Sequence, residues 1–333
     1  MGKLSVLCLS DGRPGHFNQT RGVLLALEHR HEIDVNWVEV KLRWAFLRPL
    51  LKLLFNRLPW SCWPLIRRAY GLGSAFQKPD LIVSTGGNTL YLNIALARLL
   101  NSRNIFVGGL RGVSAACVGL NIVLDNPDNA PNTLDVLISP TAVEWLPLPA
   151  KTGAETWMMA IGGDSGSYRY AEPDWDRLVD FMGQAQRELG VRWVLTTSRR
   201  TGLVAENYLK QRVESSGLEV EAVWYCQAPK PVMQAFLTRS SRVFCTEDSF
   251  SMMTEAVSCG RPVIGLRPEQ VSRDDFYRWA LERLQGHHLV GCIRLAVLNM
   301  AALEVTAAGL EPLQCSVSVG LGEELEKYLV STS

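Results

Sequence analysis

The fold is decided by residues 243–264, which read VFCTEDSFSMMTEAVSCGRPVI. An apolar run stops at hydroxyl-bearing and acidic residues, a helical stretch follows, and Gly260-Arg261-Pro262 leads into a second apolar run. This order predicts a strand, a polar turn, a helix and another strand. It is the repeating unit of an α/β fold with a parallel sheet.

The polar turn of this stretch has the chemistry of an anion site. Ser249 and Ser251 lie where free backbone N–H groups and the positive end of the predicted helix favour a phosphate. Glu255 lies about one turn further along the helix, where its carboxylate can accept hydrogen bonds from the two hydroxyls of a ribose. The stretch therefore predicts a sugar-nucleotide pocket, with an ordinary helix cap by Ser249 or Asp248 as the alternative.

A second polar turn stands at the start of the same half of the chain. Residues 157–161 read as a buried strand, residues 162–167 (GGDSGS) as a turn, and a helix is predicted over 173–189. Glycines at such a turn allow a ligand to approach the backbone closely. The spacing matches neither the dinucleotide-binding fingerprint nor a Walker loop. Because parallel sheets bind ligands at the carboxyl ends of their strands, both turns are expected at one site.

Composition limits the class of protein. The chain has 333 residues, 47% hydrophobic and 20% charged, with a net charge of +1, which is globular composition without bulk attraction to nucleic acid. Eight cysteines without Cys-x-x-Cys pairs predict free, mostly buried thiols in a reducing compartment. The short apolar run Leu4–Leu9 reads as a first strand and not as a secretion signal. We expect a cytoplasmic protein.

The alternation of strands and helices extends along the whole chain. Strands are predicted at 4–9, 33–40, 81–84, 105–107, 122–124, 136–138, 157–161, 192–196, 220–224, 243–245 and 263–266. Helices are predicted at 19–29, 89–100, 173–189 and 323–329. A proline-containing passage, 140–153, reads as a linker. The chain is therefore predicted to form two doubly wound α/β domains facing a cleft, at 1–145 and 154–320, with a C-terminal helix and tail at 321–333.

One segment combines apolar bulk with positive charge. Between Val40 and Pro79 there is no acidic residue, and prolines at 49 and 64 favour two short helices. This composition is typical of a helix in a membrane interface. The residues assigned to that surface, within 41–70, are Arg43, Trp44, Arg48, Lys52, Phe55, Trp60 and Trp63. The alternatives are a core helix with a solvated basic face and a basic patch for an anionic substrate such as a glycolipid phosphate.

The loop after the first strand, residues 10–20 (SDGRPGHFNQT), carries candidate catalytic groups. Asn18 is expected to cap the following helix, with Asp11 and His16 at the mouth of the sheet. Histidine titrates near working pH and can act as a general base; the alternative is an ordinary exposed histidine. Two further glycine-bearing turns, 84–89 and 108–112, should meet this loop at one rim. The residues assigned to an acceptor there are Gly15, Gly86, Gly87, Asn88, Thr89 and Arg111.

Four segments together resemble the Elm-type mitochondrial-fission family, which comprises a plant fission factor and many bacterial relatives. They are Asp11-Gly12-Arg13-Pro14-Gly15-His16-x-x-Gln19, Ser84-x-Gly86-Gly87-Asn88-Thr89, Thr197-Ser198-Arg199-Arg200-Thr201 and Thr246-Glu247-Asp248-Ser249-x-Ser251-Met252-x-x-Glu255-Ala256. The bacterial members are similar to glycosyltransferases of the GT-B architecture, with two Rossmann-like domains and the donor nucleotide on the second. The layout is similar to the N-acetylglucosaminyltransferase that completes lipid II and to lipid A disaccharide synthase.

The resemblance implies a role for each motif. Glu255 would bind the ribose, and Ser249 and Ser251 the diphosphate. The donor pocket would be completed by Gly162, Gly163, Ser165, Thr197, Ser198, Arg199, Arg200, Thr246 and Asp248, with the arginines countering phosphate charge. His16 or Asp11 would be the base. The first loop departs from the Gly-Gly-x-Gly-Gly-His pattern of the lipid II enzyme, so the choice between the two stays open.

The sequence and the resemblance together lead to an expected function. The protein is expected to be a glycosyltransferase on the inner face of the cytoplasmic membrane, using a nucleotide-sugar donor and a lipid-linked or envelope glycolipid acceptor. No metal, other cofactor or nucleic acid is expected to take part, and inversion at the anomeric carbon is expected by analogy. Two alternatives stay open: a non-catalytic membrane-docking adaptor of the same fold, and a sugar-nucleotide epimerase.

Overall fold

The computed structural model describes residues 3–73, 76–127, 129–150, 153–272 and 275–331. The chain forms two compact units. Unit 1 consists of residues 1–142 together with 317–333, and unit 2 of residues 143–316. Each unit is built on its own six-stranded parallel sheet, so the α/β fold class is as predicted.

The elements are numbered in chain order. The strands are β1 (Leu4–Ser10), β2 (Ile33–Glu39), β3 (Leu81–Thr85), β4 (Arg103–Val107), β5 (Leu120–Val123), β6 (Thr133–Asp135), β7 (Thr156–Ala160), β8 (Tyr168–Arg169), β9 (Arg192–Thr196), β10 (Val220–Val223), β11 (Arg242–Thr246), β12 (Val263–Arg267), β13 (Gln270–Val271) and β14 (Val290–Arg294). The α-helices are α1 (Pro14–Glu28), α2 (Arg48–Arg57), α3 (Trp63–Tyr70), α4 (Leu90–Leu100), α5 (Glu172–Leu189), α6 (Gly202–Ser216), α7 (Met233–Arg239), α8 (Phe250–Ser258), α9 (Asp275–Gly286), α10 (Met300–Ala308) and α11 (Val317–Ser331).

Unit 1 is a doubly wound sheet in the order β2-β1-β3-β4-β5-β6. Successive residues of a strand point to opposite faces. Val6 and Cys8 accordingly pack in one core cluster with residues of α1 and α11. Leu7 and Leu9 pack in another cluster with residues of α2, α3 and α4. Helices therefore cover both faces of this sheet.

The last helix, α11, belongs to unit 1. It begins at Val317, before the predicted start at Glu323, and packs along α1. Leu325 is fully buried in the core shared with α1. At its edge, His31 Nε2 lies 2.5 Å from Glu326 Oε2 and Arg30 Nη2 donates to Glu323 Oε1 at 3.1 Å.

Because Leu325 fills the α1–α11 interface, Leu325→Ala is expected to lower the free energy of unfolding by about 2–3 kcal/mol, the lower part of the range for buried leucines. The lower part applies because a surface helix can settle into some of the space. Val330→Ala on the same helix is the control, since Val330 is 63% exposed. Denaturant unfolding measures both variants; equal effects would contradict the docking of α11 through Leu325.

Unit 2 is a second doubly wound sheet, in the order β10-β9-β7-β11-β12-β14. Its core holds an aromatic cluster on one face, in which Trp193 lies 5.6 Å from Trp157 and 5.4 Å from Phe244 between ring centroids. Helices α5, α6 and α10 pack with this face. Helices α7 and α8 contact strands β7, β11 and β12, and α9 contacts β14.

Two further predicted elements are corrected. Residues 136–138 are not a strand, because β6 lies just before them; β14 was not predicted. Helix α1 begins at Pro14 and not at Gln19, since proline is pre-organised for a first helical turn. Asn18 is therefore inside the helix and does not cap it. In the ranges that the structure describes, no helix combines the length and apolar character needed to cross a bilayer.

Candidate functional site

In unit 1 the loop after β1 holds an aspartate–histidine pair. His16 Nδ1 lies 2.9 and 3.1 Å from the two carboxylate oxygens of Asp11. An ionised carboxylate only accepts hydrogen bonds, so Nδ1 carries the proton in this contact. The Asp11 side chain is 1% exposed and that of His16 is 28% exposed. A buried carboxylate thus orients an imidazole whose Nε2 has no partner among the described residues.

The turn after β3 supports this pair. Asn88 Nδ2 donates to Asp11 Oδ2 at 3.2 Å. Gly86 has a φ of +91°, and a Cβ on it would lie 2.3 Å from His16 Nδ1, so only glycine lets the ring lie against this backbone. The hydroxyl of Thr89 donates to the carbonyl oxygens of Thr85 and Gly86 and closes the turn. Gly15 is exposed in the first turn of α1.

Positive side chains lie at the same turn. Arg48 Nη2 donates to Asn88 Oδ1 at 2.7 Å. A Cβ on Gly87 would lie 2.4 Å from Arg111 Nε, so the Arg111 side chain crosses Gly87 closely. Asn88 therefore bonds both the Asp11 carboxylate and the Arg48 guanidinium. The turns 84–89 and 108–112 meet in the structure.

An open cavity of about 520 Å³ borders the first loop on the side of β2. It is lined by Ser10, Gly12, Pro14, Phe17, Asn18, Trp37 and Glu39. The rings of Phe17 and Trp37 lie 4.5 Å apart between centroids. Sequence reasoning missed Trp37 and Glu39. The signal for them is the pairing of β1 with β2, which sets Ser10 opposite Glu39.

The residues assigned to a membrane surface differ in their exposure and contacts. Trp44 and Trp60 are 38% and 72% exposed, and Arg43 is exposed as well. Trp63 is half-buried and packs edge-on against Phe76. Arg48 reaches the turn at Asn88, and Lys52 lies against Gly112.

The membrane assignment of Phe55 is wrong. This side chain is 1% exposed and lies in the core, stacked on Tyr91, with the Arg98 guanidinium over its ring. Within 41–70, the exposed large apolar side chains outside the assigned set are Phe46, Leu50 and Leu53.

In unit 2 the turns after β7 and β11 are hydrogen-bonded to each other. The Gly162 N–H donates to Thr246 Oγ1 at 2.6 Å, and the Gly163 N–H donates to Asp248 Oδ2 at 3.0 Å. A Cβ on Gly162 would lie 2.1 Å from Asp248 Oδ2. Glycine is therefore required for the carboxylate to approach this backbone.

The turn after β9 joins the same site. Arg200 donates from Nε to Asp248 Oδ2 at 3.0 Å, and its Nη2 lies 2.9 Å from the same oxygen. Ser198 Oγ donates to the Gly162 carbonyl at 3.1 Å, and the Thr201 hydroxyl donates to that carbonyl too. Thr197 Oγ1 instead donates to the buried Glu206 at 2.5 Å. Three predicted turns thus converge, held together through Asp248 and Gly162.

Asp248 is the centre of this network. It is 6% exposed. Burial raises the pKa of its carboxyl, and the Arg200 guanidinium and the Gly163 N–H oppose that rise. Its Oδ1 is buried without a hydrogen-bond partner in the described part of the chain. Arg200 is consequently already paired, whereas Arg199 is exposed and has no partner within the described ranges.

Helix α8 begins at this network. Ser249 is its N-cap residue, is 2% exposed, and makes no capping hydrogen bond through its side chain. Ser251, in the first turn, is exposed. Glu255 lies further along α8 and is 7% exposed; its charge is one of those that, after burial, raise the pKa of the Cys245 thiol in β11. Ser165 is half-buried in the turn after β7.

Sequence reasoning missed a second buried carboxylate, that of Glu247. It is fully buried, accepts from Arg267 Nε at 2.8 Å, and lies 3.4 Å from the Tyr168 hydroxyl. Burial and the Glu247 charge raise the pKa of Tyr168. The signal for this group is an acid placed directly at the end of a buried strand.

One Asp-x-Asp spacing occurs, at residues 174–176, and its carboxylates are engaged elsewhere. Asp174 Oδ2 accepts from the Ala171 N–H at 3.0 Å, at the start of α5. Asp176 Oδ1 accepts from Arg212 Nε at 2.6 Å and from the Tyr208 hydroxyl at 2.9 Å. No group of three or more metal-ligating side chains was found within the residues that the structure describes.

Solved structures similar to this chain share its fold. MurG of Acinetobacter baumannii is 12% identical with a TM-score of 0.54, covering 97% of this chain and 99% of that one. The UDP-GlcNAc 2-epimerase of Methanocaldococcus jannaschii is 11% identical with a TM-score of 0.57, covering 99% and 100%. That of Neisseria meningitidis, bound to UDP-GlcNAc, is 10% identical with a TM-score of 0.52, covering 99% and 100%. These likenesses confirm the GT-B fold.

The sequence comparison identifies the family. No curated protein sequence matches this chain significantly. Residues 121–308 match the family described as "Mitochondrial fission ELM1". This segment contains the turns at 162–167, 197–201 and 246–251. Because it spans more than half of the chain, the protein belongs to the mitochondrial fission ELM1 family.

Proposed function

We propose that the protein is a glycosyltransferase that moves a sugar from a nucleotide-sugar donor to a lipid-linked or envelope glycolipid acceptor. The observation that carries the proposal is the Asp11–His16 pair at the carboxyl end of β1, in a chain of GT-B fold. His16 Nε2 accepts the proton of the acceptor hydroxyl while that oxygen bonds to the anomeric carbon. The bond from this carbon to the nucleoside diphosphate breaks, and the diphosphate leaves with the electron pair.

Asp11 is the group that makes His16 effective. Its carboxylate fixes the ring through Nδ1–H, so that Nε2 is the free acceptor. It also stabilises the imidazolium that forms when Nε2 takes the proton, as the carboxylate of a catalytic triad does. Inversion at the anomeric carbon follows if a single displacement occurs at that carbon.

The donor is assigned to unit 2. The start of α8 offers backbone N–H groups that the side chain of its N-cap residue, Ser249, does not cap, and the exposed Ser251 and Arg199 are beside the turns that converge there. Two similar structures, those of the epimerases from Neisseria meningitidis and Methanocaldococcus jannaschii, hold UDP-GlcNAc. In the proposal, the helix N–H groups and Arg199 stabilise the departing diphosphate and Glu255 binds the ribose. Arg200 holds Asp248 instead.

The membrane is the proposed location of the acceptor. Trp44, Phe46 and Trp60 are exposed beside cations of the same acid-free segment. Tryptophan side chains favour the bilayer interface and cations favour anionic head groups, each cation by about 1 kcal/mol. The protein is proposed to dock peripherally on the inner face of the cytoplasmic membrane.

Nucleotide binding tests the donor assignment. UDP, GDP, CMP or ADP at 100 times its dissociation constant should add about 2.7 kcal/mol to the free energy of unfolding, seen as a higher Tm. Arg199→Ala is expected to weaken the nucleotide that binds by about 10-fold, the loss of one charge-assisted hydrogen bond. Glu255→Ala is expected to weaken it through the ribose.

Arg192→Ala is the matched control for Arg199→Ala. Arg192 is also exposed, but it lies at the amino end of β9, away from the turn at 197–201. We expect its affinity for the nucleotide to equal that of the parent protein. If Arg192→Ala and Arg199→Ala weaken binding alike, the donor does not lie at the carboxyl ends of these strands.

The second candidate is a membrane-docking adaptor. It is favoured by the description of the family, which names mitochondrial fission and no enzymatic activity, and by the exposed apolar side chains of residues 44–60. It predicts no Tm shift with any nucleotide. A sugar-nucleotide epimerase, the activity named for two of the similar structures, predicts interconversion of sugar nucleotides without an acceptor. Release of nucleoside diphosphate only when acceptor lipid is present supports the transferase.

A further inference from the structure

We propose that Arg48, Lys52 and Arg111 form an anion subsite beside the Asp11–His16 pair, through which a phosphate or diphosphate group of the acceptor is bound. This proposal rests on the function proposed above and specifies the chemistry of its acceptor. Two of these residues, Arg48 and Lys52, were expected at a membrane surface from composition. Both are exposed, and their contacts place them beside the turns at 84–89 and 108–112.

The three cations are linked to the catalytic pair by a continuous set of contacts. Asn88 donates to Asp11 and accepts from Arg48 Nη2. Arg111 Nε lies 2.4 Å from the position of a Cβ on Gly87, the neighbour of Asn88. Lys52 Nζ lies 2.8 Å from the position of a Cβ on Gly112, the neighbour of Arg111.

The Tyr91 hydroxyl lies within the field of both arginines. It donates to the Arg48 carbonyl at 3.2 Å. Burial raises the pKa of this hydroxyl, and the charges of Arg48 and Arg111 oppose the rise. Both guanidinium groups are therefore near enough to the Tyr91 hydroxyl for their charges to act on it.

None of the three cations is neutralised by a carboxylate within the described residues. In that part of the chain no ion pair joins Arg48, Lys52 or Arg111 to an acid, whereas in unit 2 Arg200 and Arg212 are paired with Asp248 and Asp176. The stretch 40–79, which supplies Arg48 and Lys52, contains no acid at all. Like charges held together without counter-charges attract an anion from solution.

The backbone of Arg111 is strained, which is a further sign that this residue belongs to a functional site. Its φ is +53°, in the left-handed region that non-glycine residues avoid, and it lies between Gly108 at +110° and Gly112 at +80°. Arginine at such a position is costly, and strain of this kind concentrates at functional sites. Gly87, which has no side chain, leaves room for Arg111 to cross it.

The donor set matches a phosphate-type anion. Guanidinium groups bond phosphate oxygens in pairs, and an ammonium group adds a point charge. Two arginines and a lysine together match the charge of a diphosphate ligand better than that of a ligand with a single carboxylate. Leu50 and Leu53 are exposed on α2, the helix that carries Arg48 and Lys52. Because these apolar side chains are on the same helix as the two cations, the proposed ligand is a phosphate attached to a lipid, which is either the acceptor or a membrane phospholipid.

Pyrophosphate is the probe for the subsite and is titrated into the whole chain. The protein is first saturated with the nucleotide that gives the largest Tm shift, so that the proposed donor site of unit 2 is already occupied. Arg48→Gln is expected to weaken pyrophosphate at least 10-fold. Arg57→Gln is the control, because Arg57 is an exposed arginine on the same helix; less than a twofold change is expected. Equal losses in both variants, or none in Arg48→Gln, would overturn the proposal.

Arg111→Gly separates a binding role from a structural one. Glycine accepts the positive φ without strain, so this variant is expected to raise Tm while weakening pyrophosphate at least 10-fold. A lower Tm with unchanged pyrophosphate affinity would show that Arg111 only supports the fold.

Vesicles distinguish the two sources of phosphate. Sedimentation with vesicles of phosphatidylglycerol and phosphatidylcholine is expected to be retained in Arg48→Gln, which identifies the anion as the acceptor's own. If Arg48→Gln loses sedimentation but keeps its affinity for pyrophosphate, these cations bind membrane phospholipid and the assignment to the acceptor is wrong. If no nucleotide binds but pyrophosphate still requires Arg48, the subsite stands and the transferase proposal fails.

Discussion

His16→Ala is expected to lower kcat for sugar transfer by about 10²–10⁴-fold, the usual contribution of a positioned general base. Without the imidazole, the acceptor hydroxyl must lose its proton to water as it attacks. Nucleotide affinity should not change, because the donor is assigned to unit 2. The His16 side chain is 28% exposed and, among the described residues, its ring bonds only Asp11, so the fold is expected to survive. Acceptor-dependent release of nucleoside diphosphate measures the effect.

Asp11→Asn tests whether the two residues act as a unit. Asparagine keeps the size of the side chain but removes the charge that stabilises the imidazolium, and its amide group can donate to Nδ1, which selects the wrong tautomer. A loss of about 10²–10⁴-fold in kcat is expected again. The double variant should be no worse than either single one, because residues that act together are non-additive.

The control for both variants is His287→Ala, since His287 is an exposed histidine of unit 2. Its kcat should equal that of the parent protein. A loss of less than about 10-fold in a well-folded His16→Ala protein would remove His16 as the base. Multiplying losses in the double variant would show that Asp11 has a separate role.

The sequence predicted most strands of the sheets because most of them are apolar runs that end at a polar turn. β14 (Val290–Arg294) was not predicted, because Gly291 interrupts its apolar residues. β6 was placed three residues too late, on Val136–Ile138, which is more apolar than the actual strand Thr133–Asp135. The convergence of turns followed from parallel topology, which brings carboxyl ends to one edge.

The partners of the charged residues could not be predicted. Composition alone does not distinguish a lipid-facing side chain from one at the rim of the sheet. Arg48 and Lys52 reach Asn88 and Gly112 because α2 packs on the sheet through Leu51 and Phe55. Phe55 was predictable: it lies four residues after Leu51, and both face the core. The Arg200–Asp248 pair joins two turns far apart in sequence, which no local pattern reveals.

Gly162→Ala is expected to destabilise unit 2 by about 2–3 kcal/mol, the upper part of the range for forcing an extra methyl group into a packed site. The added Cβ would lie 2.1 Å from Asp248 Oδ2 and must displace the carboxylate. That carboxylate then loses the Gly163 N–H and Arg200 Nε, both at 3.0 Å. Nucleotide affinity should fall at least 10-fold, because these bonds hold together the three turns at the proposed donor site. Denaturant unfolding and nucleotide-dependent Tm shifts measure the two effects.

Gly166→Ala is the matched control in the same turn, because a Cβ on Gly166 meets no atom within 4 Å. A change of less than about 0.5 kcal/mol is expected there, as at other surface positions. If both glycine variants are equally stable, the carboxylate does not rest against Gly162. The prediction that unit 2 depends on this contact would then be wrong.

A double-mutant cycle isolates the cause of the Gly162→Ala effect. Asp248→Ala removes the carboxylate that the new methyl group would strike, so Gly162→Ala should cost less than about 1 kcal/mol in that background, a coupling within the range for residues in contact. If the full cost persists in the Asp248→Ala background, the clash is with some other group, and Asp248 is not what requires glycine at position 162. If the cost disappears but nucleotide affinity stays low in the double variant, the Asp248 carboxylate itself is needed to hold the donor turns in place.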